Sequence, residues 1–472
     1  MRLNSHLLGA SLVLLAACTR NEAVVFETLP QAEVRASSGG LLTTTLTMSE
    51  KSHDIGIGQS LVSSSYDGGI PGPTLELRPG DQLQLTLVNN IPMPLDAEEG
   101  TDPRVSNLHF HGLHVSPLGN SDNPLVAVPA GESFTYNVQV PSNHPAGTFW
   151  YHPHHHGHVA WQVANGLQGA LIVRGDVDAL PAIAAARERI LMLANIKLNP
   201  ATGRVPVMSE TGQDVFLVNG RVRPVFTMRP GEVQRWRILA GSGSRYFPLR
   251  LDGHNLHQIA FDGITLPAAQ SAEEILLIPG QRTDVMVRAG EPGRYMLRKL
   301  EHQNGLSPYV PEHILAEVVV EGTPMNMDLP TTLLPSPPDP GAPAQLRYWT
   351  FDILSEFPMI MGVNFQPFDP SIVSATMPLG SVEEWTIQDG VTTGHPFHLH
   401  TNHFLVTHIN GLPLAQPYWR DTVNVPAAGT VTVKIPFNDF IGPNVFHCHI
   451  LEHEDTGMMA RFDVLPPPAP GN

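Results

Sequence analysis

Cysteine is almost absent from this sequence: 472 residues hold two, Cys18 and Cys448. A disulfide framework is therefore excluded, although an exported chain would be permitted one. Basic residues are few as well. Twenty-seven Lys and Arg stand against 44 Asp and Glu, a formal net charge of -17. Nucleic-acid phosphates would repel such a chain, so nucleic acid is excluded as a partner. The apolar run from Leu7 to Ala17 is too short to cross a bilayer. Long helical patterns are also scarce. Abundant Gly (41) and Pro (45) favour turns instead, and the one helical piece expected is Ala-rich, around Ala182 to Glu188.

The N-terminus has a clear address. Arg2 followed by the short apolar run reads as a signal peptide over 1–17. Leu15-Ala16-Ala17-Cys18 resembles a bacterial lipobox, in which the cysteine becomes the lipidated first residue; the alternative is an ordinary signal peptide cut after small residues. The lipobox reading implies an exported chain, held to a membrane through Cys18 on the periplasmic or cell-surface side. Thr19, not Asp, follows Cys18, which points to the outer membrane if the host is Gram-negative. There is no twin-arginine pair.

Short apolar or alternating runs fill the rest. LQLTLVNN, FTYNVQV, ILLIPG, DVMVRAG, LAEVVVEG and TVTVKIPF, each bounded by Gly or Pro turns, predict an all-β chain of sandwiches. One unit recurs. PTLELRPGDQLQLTLVNN resembles PVFTMRPGEVQRWRILA and, more weakly, ATMPLGSVEEWTIQD. The tail glycines Gly131, Gly280 and Gly429 are 149 residues apart each time. That period is a domain duplication. It divides the chain into a tether over 18–39, domains over 40–175, 180–322 and 345–466, and a Pro-rich extended linker over 323–344.

Four histidine motifs remain: His109-Phe110-His111, His152-Pro153-His154, His395-Pro396-Phe397-His398-Leu399-His400 and His447-Cys448-His449, the last running on to His453 and Met458. On a strand, residues i and i+2 share a face, so each His-x-His pair aims two imidazoles at one place. One pair is a weak signal; four in one chain are a strong one. The duplication aligns GTFWYHPH with GPNVFHCH. It thereby selects His152 and His154 from the run HPHHHGH and leaves His155, His156 and His158 to supporting or surface positions. The middle unit offers Arg298 and Leu300 there, with Arg250 and Asp252 near the places of His398 and His400. It has no metal set and is expected to act as a spacer that shapes the substrate face.

In His447-Cys448-His449 the thiol points one way and its neighbours the other. Two sites on opposite faces are then joined by a few covalent bonds, a good electron path. His395, Cys448, His453 and Met458 supply two imidazoles, a thiolate and a thioether, the donor set of a blue-copper site. Zinc accepts Cys and His, but its structural sites lack a Met and are closed by more thiolates. The other eight histidines divide between the first and third domains. They can meet only if those domains pack together, as a cluster of several coppers with room for oxygen.

Read together, the four motifs resemble the complete signature of the multicopper oxidases, the family of laccases, bilirubin oxidases and copper-efflux oxidases. The likeness covers nearly all of the mature chain, including PGPTLELRPGD and the QVANGLQGALIV strand. It implies three cupredoxin-like Greek-key sandwiches and four coppers per chain. By position, His395, Cys448, His453 and Met458 would hold type 1 copper, and His109 and His398 type 2. His111, His152 and His449 would hold one type 3 copper; His154, His400 and His447 would hold the other. Electrons would enter at type 1 and pass through Cys448, His447 and His449 to the cluster, where O2 is reduced to water.

Two acids are candidates for the protons consumed there. Glu454, beside His453, matches a relay acid of the family or is a solvated loop acid. Asp122 stands where the family often has Asp-Gly, but here Asn123 follows after a small insertion. The donor would be phenol-like, or alternatively Cu(I), and the protein a monomer. No dense Met-rich insert of the copper-efflux kind is present; Met325, Met327, Met359 and Met361 come nearest and are read as packing residues.

The lipobox gives the first prediction. Each buried CH2 adds about 0.8 kcal/mol to membrane affinity, and several acyl chains anchor stably where one does so marginally. The wild type should sediment with membranes and Cys18→Ala should not; identical fractionation of the two would refute the anchor.

Overall fold

Alternation sets the strands. Gln82–Asn90 reads QLQLTLVNN, and Leu83, Leu85 and Leu87 are buried while Gln82 and Gln84 face water. That is the period of two a half-buried strand requires. The structure, a computed structural model, describes residues 27–98, 100–207 and 212–467. The expected signal peptide over 1–17 and the expected lipidated Cys18 lie outside the described residues.

The strands form six sheets, two in each repeat. In the third repeat one sheet runs in the order Met359–Val363, Gln345–Glu356, Ser381–Asp389, Thr430–Phe437, Phe404–Ile409, Leu412–Arg420. The facing sheet runs Ala375–Pro378, Met459–Leu465, Gly442–Cys448, His395–Leu399, Thr422–Val425. The middle repeat has the same order, strand for strand. In every repeat a long early strand pairs parallel with a later one: Leu41–Asp54 with Gln82–Asn90, Arg187–Leu198 with Val233–Ala240, Gln345–Glu356 with Ser381–Asp389. Parallel neighbours inside mostly antiparallel sheets are the mark of a Greek-key sandwich. The register repeats too. His109 lies opposite His152, His398 opposite His447, and Arg250 opposite Arg298.

Three apolar cores form around Leu85 and Phe149, around Trp236 and Phe247, and around Trp385 and Phe446; the first also takes in Ala194, Ile196 and Leu217 of the second repeat. Smaller clusters join the sandwiches. Trp150 and Ala170 of the first pack on Met192 and Leu239 of the second. Val159 and Val163 of the first meet Leu451 of the third.

Several local expectations are corrected. The Ala-rich helix is only Pro181–Ala184; Glu188 belongs to strand Arg187–Leu198, where parallel pairing with Val233–Ala240 overrides helix propensity. The QVANGLQGALIV segment is not one strand. Val159–Ala164 is a helix, Gly166 reverses the chain at φ +107, and the strand is Gly169–Val173. Residues 27–39 of the expected tether are docked. Glu27 pairs with Arg189 at 2.7 Å, Thr28 N–H donates to the Val225 carbonyl, Leu29 enters the second core, and Val34–Ala36 pairs with Thr74–Leu77. The 323–344 linker forms no strand, but Leu333 is buried against Ile259 and Met286.

A buried ion cluster of the second sandwich also meets the first. Arg235 and Arg237, both fully buried, share the Asp284 carboxylate at 2.5 and 3.0 Å. Thr148 of the first sandwich donates to the same Asp284 at 2.5 Å and accepts from Arg237 at 2.8 Å. Removing one member of a buried pair costs about 3–5 kcal/mol, whereas an exposed pair contributes about 0–1. Asp284→Ala should therefore lower the urea-unfolding free energy by about that larger amount. Glu274→Ala, which breaks the exposed contact with Arg250, should change it by under about 1 kcal/mol. Equal losses from the two would contradict this view of the interface.

Candidate metal centre

The eight-imidazole site is built from paired strand ends. His109–His111 and Gly147–His152 run antiparallel in the first sandwich, as do His395–Leu399 and Gly442–Cys448 in the third. The contact between these sandwiches brings the two pairs together. The rings of His109 and His400 stack at 3.8 Å, and those of His111 and His398 also at 3.8 Å. His154 Nε2 lies 3.0 Å from His447 Nε2, and His400 Nε2 lies 3.1 Å from His154 Nε2. His154, His400 and His447 thus offer three nitrogens to one point. His111, His152 and His449 are mutual neighbours, with ring centroids 5.0 to 5.6 Å apart. His109 and His398 share a group with His400.

All eight rings are buried. Burial, then the neighbouring imidazoles, holds His109, His154 and His400 well below the ordinary histidine range. These rings are neutral, with lone pairs to offer. His109 Nε2, His398 Nε2, His400 Nδ1 and both nitrogens of His449 have no hydrogen-bond partner. Buried polar atoms are normally satisfied; a metal cation is what such a constellation fits.

Cys448 lies on the opposite face of its strand, in the third core, with Met458 fully buried in the same core. His395, Cys448 and His453 bring their ligand atoms within 4.8 Å of one another. Cys448 Sγ is 3.8 Å from His453 Nδ1 and accepts the Ile450 N–H at 3.3 Å. The Cys448 N–H donates to the Met458 carbonyl. Burial pushes the Cys448 thiol up, so a cation is needed to hold it as thiolate. Asp389 sits 3.1 Å from His395 Nδ1, and His395 Nε2 is buried without a partner. The segment beyond the cysteine contains helix Leu451–Asp455. That turn brings His453 back beside Cys448 and buries Glu454.

Carboxylates surround both sets. Asp122 Oδ2 is 3.1 Å from His109 Nδ1, and Asp122 Oδ1 accepts the Phe110 N–H at 3.0 Å. Burial pushes Asp122 up to about 7. Glu454 is not a solvated loop acid: it is fully buried, 3.1 Å from His447 Nδ1 and 3.5 Å from His154 Nε2. Sequence reasoning missed Asp421, which carries no motif spacing. Its Oδ1 lies 3.4 Å from His111 Nε2, and both its oxygens take Arg282 of the middle sandwich, at 2.8 and 2.6 Å. The middle repeat holds no histidine at the matched register; Arg298 pairs there with Asp252 and Glu312. It is more than a spacer, however. Besides Arg282 it brings Gly280 so close that a Cβ would lie 2.8 Å from the His449 ring.

A cavity of about 830 Å³ opens beside this constellation, lined by Trp161, Val205, Arg245, Tyr246, Met359 and His453 among others. His453 is partly exposed, while His395 and Cys448 are buried.

Family models described as multicopper oxidase match residues 51–178, 193–315 and 337–468. The chain belongs to the multicopper oxidase family. It is similar to a multicopper oxidase of Staphylococcus aureus, 27% identical over 84% of this chain and 83% of that one. Among solved structures it resembles a multicopper oxidase of Campylobacter jejuni described as a metallo-oxidase, with a TM-score of 0.79 and 25% identity over 92% and 96% of the two chains. It also resembles a laccase-like enzyme of Ochrobactrum sp. with oxidase activity towards lignin model compounds and lignosulfonate. There the TM-score is 0.77 and identity 26%, over 93% of this chain and all of that one. The sandwiches are cupredoxin-like. As a multicopper oxidase, the chain is an oxidoreductase that uses copper, O2 and an electron donor.

Groups that orient a metal-bound histidine typically carry 10–100-fold in metal affinity. Asp421→Ala should weaken copper retention at the eight-histidine cluster by about that factor, measured as copper per chain against a graded chelator. Full retention would make Asp421 a partner of Arg282 only.

Proposed function

We propose that this multicopper oxidase takes single electrons from electron-rich phenols and uses four coppers, held by the ligand sets assigned above from family resemblance, to reduce O2 to water. Bound copper would supply the electron acceptor beside Cys448 and the oxygen-reducing centre among the eight imidazoles. The observation that carries this reading is the cavity: it reaches a partly exposed His453 and is lined in part by apolar and aromatic side chains. A phenol needs such a cleft and an acceptor for its proton. Glu452, in the cavity wall next to His453, is the group we assign to that acceptor role. His447 and His449 flank Cys448, so the chain itself spans the two sites. To Glu454, between His154 and His447, we assign the holding and delivery of protons consumed there. Four phenols, each losing one electron and one proton, match one O2 reduced to two waters.

A cuprous-ion oxidase needs soft donors beside the electron-entry edge. Met359 and Met361 line the cavity, but Met361 is buried in the third core and Met359 is half-exposed at strand Met359–Val363. Steady-state kinetics with a phenol panel and with Cu(I), in the wild type and in Met359→Leu/Met361→Leu, separate the readings. Phenol turnover should be measurable and mostly retained in the double variant, since Met-to-Leu exchange conserves core volume. Saturable Cu(I) oxidation that collapses in the double variant, with negligible phenol turnover by the wild type, would reverse the conclusion.

A further inference from the structure

The cavity beside His453 has two unlike walls. One comes from the third sandwich and carries His453, Glu452 and Asp455. Asp455 is engaged: its carboxylate accepts the backbone N–H groups of Gly157, Val159 and Ala160 at 3.0, 2.9 and 2.8 Å. The opposite wall comes from the middle sandwich and carries Lys197 and Arg245. Lys197 lies 3.1 Å from Asp214, and Arg245 Nη2 reaches both oxygens of that same carboxylate only at 3.4 Å. Arg245 Nε has no acceptor. Behind them Lys299 is fully buried; its Nζ donates to the backbone carbonyls of Leu300 at 2.9 Å and Pro311 at 3.5 Å and lies 5.8 Å from the centroid of the Phe216 ring. Burial first, and then the charge of Arg245, pushes Lys299 down to about 8. Two cationic side chains of this wall thus share the one Asp214 carboxylate, with a third, Lys299, behind them.

That imbalance contrasts with the whole molecule, in which acids outnumber bases 44 to 27. The overall field repels an anion, so binding one here takes a local reversal of sign. The Tyr246 ring forms another part of the lining. His302 stacks on it at 5.0 Å, and its hydroxyl donates to Asn424 Oδ1 at 2.8 Å. An aromatic surface with a cationic end is a matched site for a ring that bears a carboxylate. A guanidinium fork suits carboxylate geometry, and its charge-assisted bonds are about twice as strong as neutral ones.

We propose that this wall selects phenolic donors carrying a carboxylate, of the hydroxybenzoate or hydroxycinnamate kind. The carboxylate sits on Arg245 and Lys197, and the ring lies across the apolar lining towards His453. This rests on the phenol reading above and deepens it. Each donor gives up one electron and its phenolic proton and leaves as a phenoxyl radical with its carboxylate still ionised; O2 is the final acceptor.

The test compares a hydroxycinnamate with its methyl ester, which differs in charge at that one end. In the wild type, kcat/KM for the acid should exceed that for the ester by about tenfold, the scale of one charge-assisted contact. Arg245→Gln should bring the ratio close to one, through KM of the acid, and Arg245→Lys should restore part of it. A second measurement reads binding alone: calorimetric titration with 4-methoxybenzoate, which has no phenolic hydrogen, against neutral anisole. The wild type should bind the benzoate more tightly than anisole, and Arg245→Gln should lose the difference. Acid and ester oxidised alike, with no preference for the benzoate, overturns the cationic wall and leaves the phenol reading intact. Neither phenol oxidised, with the benzoate still preferred, overturns the phenol reading and leaves the anion site standing.

Discussion

Eight imidazoles cannot be buried side by side unless something takes up their lone pairs. Buried polar atoms without partners are costly, and here several ring nitrogens stand without one. Burial, and then the neighbouring imidazoles, holds His109 and His400 well below the ordinary histidine range. Much of the surrounding structure answers this constraint. Asp122, Asp421 and Glu454 sit against His109, His111 and His447, and so bear on ring orientation and place negative charge around a site meant for cations. The bridging ion pairs and apolar clusters then hold three sandwiches in the one arrangement that keeps the rings together.

Much of this was legible in the sequence because it rests on period and repetition. The period-two runs gave strands such as Gln82–Asn90 and Thr430–Phe437, and the 149-residue interval of the tail glycines gave three like units. The alignment of GTFWYHPH with GPNVFHCH has a direct structural counterpart, since both segments are the strand opposite a His-x-His strand in the same register. What spacing cannot convey is contact between distant parts of the chain. Asp421 touches His111 across the sandwich interface and meets Arg282 from a third unit; no local pattern marks any of the three as belonging together. The short helices Val159–Ala164 and Leu451–Asp455 escaped for a related reason. They are stabilised by packing Val159 and Val163 on Leu451, not by the propensity of either segment. The docked segment 27–39 is similar: its partners, Arg189 and Val225, lie far away in sequence.

The middle sandwich shows how a duplicated unit can lose a metal set and keep a part in the site. At the register of the histidine pairs it carries Arg250 and Arg298, with Arg298 satisfied by Asp252 and Glu312. Its strand edge instead supplies Arg282 to the cluster and its 245–246 segment to the wall of the cavity.

The closeness of Gly280 to His449 bears on the order of assembly. All eight histidines come from the first and third sandwiches, yet the middle one presses a bare backbone against one of their rings and seats Arg282 on the shared carboxylate Asp421. The pocket for copper is therefore complete only when all three sandwiches are docked together. Metal that needs the complete pocket would enter after docking, and would then tie the first sandwich to the third across a junction the middle one closes.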